Sequence, residues 1–280
     1  MKIVKVTRQN ATAAGILYGD SVKIIGSWSS SDPGETPFTL PSLSLAELSA
    51  RCDASPESVP LGEVQIAVPA DPGRKIICVG MNYRDHTTEI KYDVTENPVL
   101  FTRSLDSLVA DGQPIIRPKV SETFDFEGEI AVIIGKPGRH ISRDNALDHV
   151  FGYSCFLDGS VRAYQKHSLT AGKNFLRSGA MGPYIVTRDE VGSLDFLLET
   201  RLNGEVVQSA HASDMIFGIA EVISYCSRWT ELRAGDVIAT GTPGGVGSRR
   251  EPPLWMKAGD QIEVTVSGVG KLSNPVVDEE

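Results

Sequence analysis

The chain reads as a mostly β protein with a few helices, an α+β fold. Three observations predict this. Apolar runs of strand length recur between turn signals over most of the 280 residues, 27 Gly and 16 Pro supply those turns, and only one long stretch has a sustained helical stripe. Hydrophobic content of 41% and charged content of 22% fit a compact chain able to bury a large core.

In chain order, residues 3–6 and 22–25 have strand character, 27–36 is polar, and 44–51 fits a short helix. Residues 68–73 are rich in Pro and read as a linker, which predicts an amino-terminal unit over 1–71 and a larger one over 72–280. In the larger unit 75–80 reads as a buried strand and 82–92 as a short helix. Residues 129–134, 152–157, 197–202, 237–239 and 261–266 read as strands. The spacing of Met215, Ile216, Ile219, Ala220, Val222 and Ile223 predicts a helix over 213–229. Asn203-Gly204 predicts a hairpin with a type I′ turn.

A formal net charge of −9 leaves no basic footprint for nucleic acid, and an anionic substrate would need a local cation or a metal to hold it. No apolar stretch reaches 18 residues, so no membrane partner is expected. The four cysteines, Cys52, Cys78, Cys155 and Cys226, are scattered without metal-ligand spacing, which fits a reducing, cytoplasmic setting.

The chemistry concentrates in Asp125-Phe126-Glu127-Gly128-Glu129-Ile130-Ala131-Val132-Ile133-Ile134. On a strand, Glu127 and Glu129 point the same way, roughly 6 to 7 Å apart. Ala131 and Ile133 continue their side and Ile130, Val132 and Ile134 form the other, as in a strand covered on both faces. Buried carboxylates escape by protonation, by pairing with a cation or by binding a metal, and an oxygen-only pair suits Mg²⁺, Mn²⁺ or Ca²⁺ better than Zn²⁺. The alternative is that this end of the strand is wet and both glutamates are solvated.

His86 and Glu89, three residues apart on a helix, share a face; such a carboxylate fixes the imidazole tautomer and raises its basicity, unless the pair is only a solvated surface contact. Asp158 is either a third oxygen ligand or a turn residue, and Lys173 either an anion-holding cation or an exposed lysine. The loop 241–247 lacks the Lys and hydroxyl residue of a phosphate loop, and reads as a tight turn offering Thr hydroxyls and backbone N–H groups to a small anion.

Taken together, these stretches resemble the fumarylacetoacetate hydrolase family from about residue 76 to 278. In order they are Cys78-Val79-Gly80-Met81-Asn82-Tyr83 with His86 and Glu89, Pro98-Val99-Leu100-Phe101-Thr102-Arg103, Glu127-x-Glu129, and Leu157-Asp158-Gly159-Ser160-Val161-Arg162. Gly172-Lys173-Asn174-Phe175, Met181-Gly182-Pro183, Gly241-Thr242-Pro243-Gly244-Gly245-Val246-Gly247 and Gly268-Val269-Gly270-Lys271-Leu272-Ser273-Asn274-Pro275-Val276 complete the set. The resemblance implies a twisted, mixed β-roll or sandwich catalytic domain, a smaller and more variable amino-terminal domain, and a homodimer. It implies that Glu127, Glu129 and Asp158 ligate Mg²⁺ or Mn²⁺, that His86 and Glu89 activate water, that Lys173 and Gln165 stabilise oxygen charge, and that Thr242 touches the substrate. The implied reaction is metal-dependent hydrolysis of a C–C bond in a β-diketo acid, an acylpyruvate or a fumarylpyruvate-like product of aromatic ring fission. Decarboxylation of an oxaloacetate-like acid, or isomerisation of an unsaturated 2-hydroxy diacid, would use the same site, and a non-catalytic ligand-binding protein is a third possibility. Ala163 and Leu176 stand where the family commonly has acidic residues, which removes carboxylates that would orient Arg162 and Lys173.

Overall fold

The computed structural model describes residues 1–30, 38–90 and 94–280. Parts of the polar stretch 27–36 and of the expected helix 82–92 lie outside them. Most of the strands form one twelve-stranded mixed sheet. Along it run Ser58–Pro60, Ser21–Ile24, Ala11–Tyr18, Lys2–Arg8, Gly179–Thr187, Val150–Leu157, Gly128–Ile134, Val237–Ala239, Ile76–Gly80 and Val99–Arg103, with Gln65–Ala67 and Leu108–Val109 attached alongside. A second sheet of five strands is built from Glu205–His211, Leu197–Leu202, Gln261–Val266, Gly270–Asp278 and Ile115–Arg117. The fold is mostly β, as its apolar runs predict.

The strand Gly128–Ile134 sits at the centre, buried on both faces as its alternation predicts. Ile130, Val132 and Ile134 pack with Leu198, Ile262, Val264 and Leu272 of the second sheet. Ala131 and Ile133 pack on the other side with Phe156, Met181, Ile185 and the amino-terminal Ile3, Ile16 and Leu48. Leu48 comes from the helix Leu45–Ala54, whose start is fixed by a reciprocal cap: Ser44 Oγ accepts the N–H of Glu47, and the Glu47 side chain accepts the N–H of Ser44. The expected boundary near residue 72 falls between Gln65–Ala67 and Ile76–Gly80. The sheet continues across that division because Lys2–Arg8 pairs antiparallel with Gly179–Thr187.

Asn203 and Gly204 both have positive φ, 53° and 85°, as a type I′ turn requires, and join Leu197–Leu202 to Glu205–His211. The expected helix over 213–229 is shorter: the helix runs Ile219–Trp229, preceded by a 3₁₀ turn, Ala212–Asp214. Asn82 is the reason. Its Oδ1 accepts the N–H of Phe217 at 2.8 Å, its Nδ2 donates to Phe217 O at 3.0 Å, and its carbonyl accepts the N–H of Ile216 at 2.7 Å. These bonds hold 216–217 in a non-helical bend against the 80–83 segment, so the apolar stripe serves two conformations. Among the described residues no helix is long and apolar enough to cross a membrane.

Because Ile133, Phe156, Met181 and Ile185 lean on amino-terminal side chains, deleting residues 1–71 uncovers one face of the central sheet. Thermal unfolding of 72–280 followed by circular dichroism should show loss of the cooperative transition or precipitation. A midpoint equal to that of the whole chain would contradict this shared core.

Candidate active site

The register of the central strand assembles the acidic cluster. Gly128 pairs with Leu157, and the N–H of Asp158 donates to Glu127 O at 2.9 Å, so Asp158 stands directly opposite Glu127, with Glu129 next on the same side. Ligand oxygens of Glu127, Glu129 and Asp158 all lie within 4.8 Å of one another. The solvated alternative does not hold, since Glu127 is 7%, Glu129 1% and Asp158 0% exposed. Gly128 has no room for a side chain: a Cβ there would lie 2.0 Å from Thr200 Oγ1. A Cβ on Gly159, next to Asp158, would lie 1.8 Å from Ser178 O.

Three cations face these groups. Lys173, buried rather than surface-exposed, places Nζ 2.7 Å from Glu127 Oε2 and 2.6 Å from Asp158 Oδ2. Arg103 donates Nη1 to Asp158 Oδ1 and to Gly159 O, with Nε on Ser107 Oγ and Nη2 on Ser178 Oγ and Ser107 O. Arg162 lies 2.6 Å from Glu127 Oε1 through Nη2, and donates Nε to Asp125 Oδ2 at 2.8 Å and Nη1 to Gln165 Oε1 at 3.0 Å. That last bond leaves the Gln165 amide NH₂ as its free polar end. Burial alone would push the Glu127 pKa up, but Lys173 and Arg162 outweigh it and hold it at about 2. Burial likewise works against the Lys173 charge and is overcome by Asp158 and Glu127, so its pKa is raised.

The loop after Val237–Ala239 supplies the other partners, and its expected anion is the protein's own. The N–H of Gly241 donates to Glu129 at 2.9 Å, that of Gly244 to Asp85 at 3.0 Å, and that of Gly245 to both Glu89 oxygens at 3.1 and 3.2 Å. The N–H groups of Gly247 and Ser248 donate to the two Asp125 oxygens at 2.8 and 3.0 Å. Thr242 is buried within this loop and its Oγ accepts from Gln208 Nε2 at 2.8 Å, while Gln208 Oε1 accepts the N–H of Gly128, between the two glutamates.

His86 and Glu89 lie on the helix Arg84–Ile90, with His86 Nδ1 3.4 Å from Glu89 Oε2. With Gly245 holding Glu89, Nδ1 faces the carboxylate and Nε2 is left as the basic nitrogen. A cleft of about 540 Å³ gathers His86, Glu127, Lys173 and Gln165 along one lining. Gln208 carries no local signal in the sequence, and Arg103 and Asp125, though they stand in the quoted runs, have no spacing that marks them as site residues. Their partners are 55, 122 and 80 residues away.

The cluster fits a divalent cation. Glu129 has one partner, the Gly241 N–H, and no cation of its own among the described residues. Burial, then the neighbouring Asp158 and Glu127 carboxylates, push its pKa well above the usual carboxylate range. Three hard oxygen ligands around an uncompensated charge suit Mg²⁺ or Mn²⁺.

Opposite effects should follow from neutralising the two glutamates. Glu129→Gln removes like-charge repulsion and should raise the metal-free melting temperature at pH 7 by roughly 2–4 °C per kcal/mol gained, while weakening Mn²⁺ binding at least about tenfold. Glu127→Gln strips a partner from Lys173 and Arg162 and should cost about 3 kcal/mol or more. The Glu127 contribution has the sign of a depressed acid: it is present above its ordinary 4.5 and is lost as pH falls toward about 2. Calorimetric melts of both variants with and without Mn²⁺ check this, and destabilisation by Glu129→Gln in the metal-free protein would contradict it.

The fumarylacetoacetate (FAA) hydrolase C-terminal family model matches residues 75–277. The chain is 42% identical over 223 residues to oxaloacetate tautomerase YisK of Bacillus subtilis, covering 77% of this chain and 74% of that one. It is 37% identical over 224 residues to human mitochondrial oxaloacetate tautomerase FAHD2A, covering 78% and 71%. The solved fumarylacetoacetate hydrolase of the psychrophile Exiguobacterium antarcticum superposes with a TM-score of 0.81 at 34% identity, over the full length of both chains. With its ordered motifs, its fold and its acidic cluster all in agreement, the chain belongs to the fumarylacetoacetate hydrolase family.

Proposed function

We propose that this protein is an enzyme that shifts a proton at the carbon beside the carbonyl of a short 2-oxo diacid, interconverting keto and enol forms of an oxaloacetate-like substrate. The observation that carries the reading is one cleft lined both by Glu127 of the acidic cluster and by His86, an imidazole backed by the Glu89 carboxylate. The similarity to oxaloacetate tautomerases over three quarters of either chain supports the choice of substrate. A divalent ion held by Glu127, Glu129 and Asp158 would supply Lewis-acid polarisation of the substrate carbonyl.

The chain's own groups do the rest. His86 Nε2 takes the proton from the carbon next to the carbonyl, and Glu89, fixed by the Gly245 N–H, stabilises the imidazolium that results. A proton from water reaches the carbonyl oxygen, which completes the enol, and the hydroxide left takes the proton from the His86 imidazolium; the reverse path runs through the same transfers. Lys173 and the free amide of Gln165 hold the oxygen charge that develops between the two events. Because Asp85 and Glu89 are both tied to the 244–245 backbone, the helix is fixed so that His86 stands in the cleft lining.

A second reading is C–C hydrolysis of an acylpyruvate, which the His86–Glu89 pair favours because the same base can deprotonate water. Near-ultraviolet absorbance separates the two. With Mg²⁺ or Mn²⁺, enol oxaloacetate should decay to the keto form without CO₂ release, EDTA should stop it, and His86→Ala should slow it about 10²- to 10⁴-fold. Turnover confined to acylpyruvates, with two products formed, would replace tautomerisation by hydrolysis. Metal-independent decay on every substrate would contradict both.

A further inference from the structure

We infer that Lys166 and Arg249 form a receptor for a second carboxylate, making the site selective for dicarboxylates over monocarboxylates with the same 2-oxo head. This rests on the proposed chemistry at the acidic cluster and assigns the far end of the same substrate. Among the described residues the cleft lining holds four permanent cations, Arg162, Lys166, Lys173 and Arg249, and a single carboxylate, Glu127, in a chain whose net charge is −9. Two of the four are used internally: Arg162 by Asp125 and Glu127, Lys173 by Glu127 and Asp158. The side chains of Lys166 and Arg249 are exposed at the cleft and make no ion pair or hydrogen bond with the described residues.

Their placement is fixed by one buried group. Asp125 Oδ2 accepts from Arg162 Nε, and the two Asp125 oxygens accept the N–H groups of Gly247 and Ser248. Arg162 opens the short helix Arg162–Gln165 that ends immediately before Lys166, and Ser248 immediately precedes Arg249. A single carboxylate therefore pins both walls from which the two cations project. The lining also carries Ala163, and among the described residues it holds no carboxylate besides Glu127 to compete for them. A 2-oxo acid with its head at the acidic cluster needs neither cation; a second carboxylate finds both available.

The test uses a ligand pair that cannot enolise. L-Malate and 2-hydroxybutanoate share a 2-hydroxy acid head and differ in a distal carboxylate against a methyl group. With Mg²⁺ present, titration calorimetry should give the whole chain at least a tenfold preference for malate, consistent with a charge-assisted contact, and the preference should shrink with added salt. In Lys166→Gln/Arg249→Gln the two affinities should agree within about twofold, with that for 2-hydroxybutanoate unchanged; Arg249→Lys should restore part of the preference. Since neither side chain has a partner to lose, these variants should melt like the parent. Equal affinities in the parent chain, or a preference that survives the double substitution, would overturn the assignment. If malate selectivity is found but oxaloacetate is not turned over, the proposed reaction fails while this receptor stands.

Discussion

Burying four carboxylates beside one another is the constraint to which the rest of this structure answers. Asp125, Glu127, Glu129 and Asp158 are all nearly sealed from solvent at the end of the central strand pair. Each ionised group there would carry a desolvation cost of several kcal/mol without a partner. Arg103, Arg162 and Lys173 meet part of that charge, and five backbone N–H groups of the 241–248 loop are turned toward carboxylates. The balance is unequal. Asp125, Glu127 and Asp158 each have a cation, whereas Glu129 has a single amide among the described residues, and that shortfall is what a divalent ion would fill.

The same loop ties the charge cluster to the helix that carries His86. Successive residues serve Glu129 of the acidic cluster, Asp85 and Glu89 of the helix carrying His86, and Asp125 beneath the cleft wall. His86, the acidic cluster and the cleft wall are thus held to one length of backbone. Positions such as Gly241 and Gly245, with φ near 95° for both, suit this role because the turn exposes consecutive amides and leaves no room for side chains. A Cβ on Gly241 would sit 2.8 Å from Val79 O, and one on Gly245 2.3 Å from Val207 O.

Local pattern carried much of this. The period-two alternation through Glu127, Glu129, Ala131 and Ile133 predicts a strand covered on both faces, and the two faces do contact different cores. The strands 197–202, 237–239 and 261–266 fall where their apolar runs place them, and Asn203-Gly204 makes its turn. Pattern misled where a distant side chain overrode it: the helical stripe of Met215 and Ile216 is interrupted because Asn82, 135 residues away, binds the backbone of Phe217. For the same reason Arg103, Asp125 and Gln208 could not be read as site residues. Each acts through a partner brought near only by sheet register, and spacing along the chain holds no trace of that. Lys173 is singled out by a short motif, flanked by Gly172, whose hydrogen atom is all that fits against Gln165 Cγ.

The central claim is that a divalent ion completes the acidic cluster. Anomalous diffraction from a crystal of this protein soaked in Mn²⁺ tests it most directly. The account predicts one strong peak within ligating distance, about 2.0 to 2.2 Å, of oxygens from Glu127, Glu129 and Asp158 together. A map with no peak there, and Lys173 still bridging Glu127 and Asp158 beside a protonated Glu129, would contradict it.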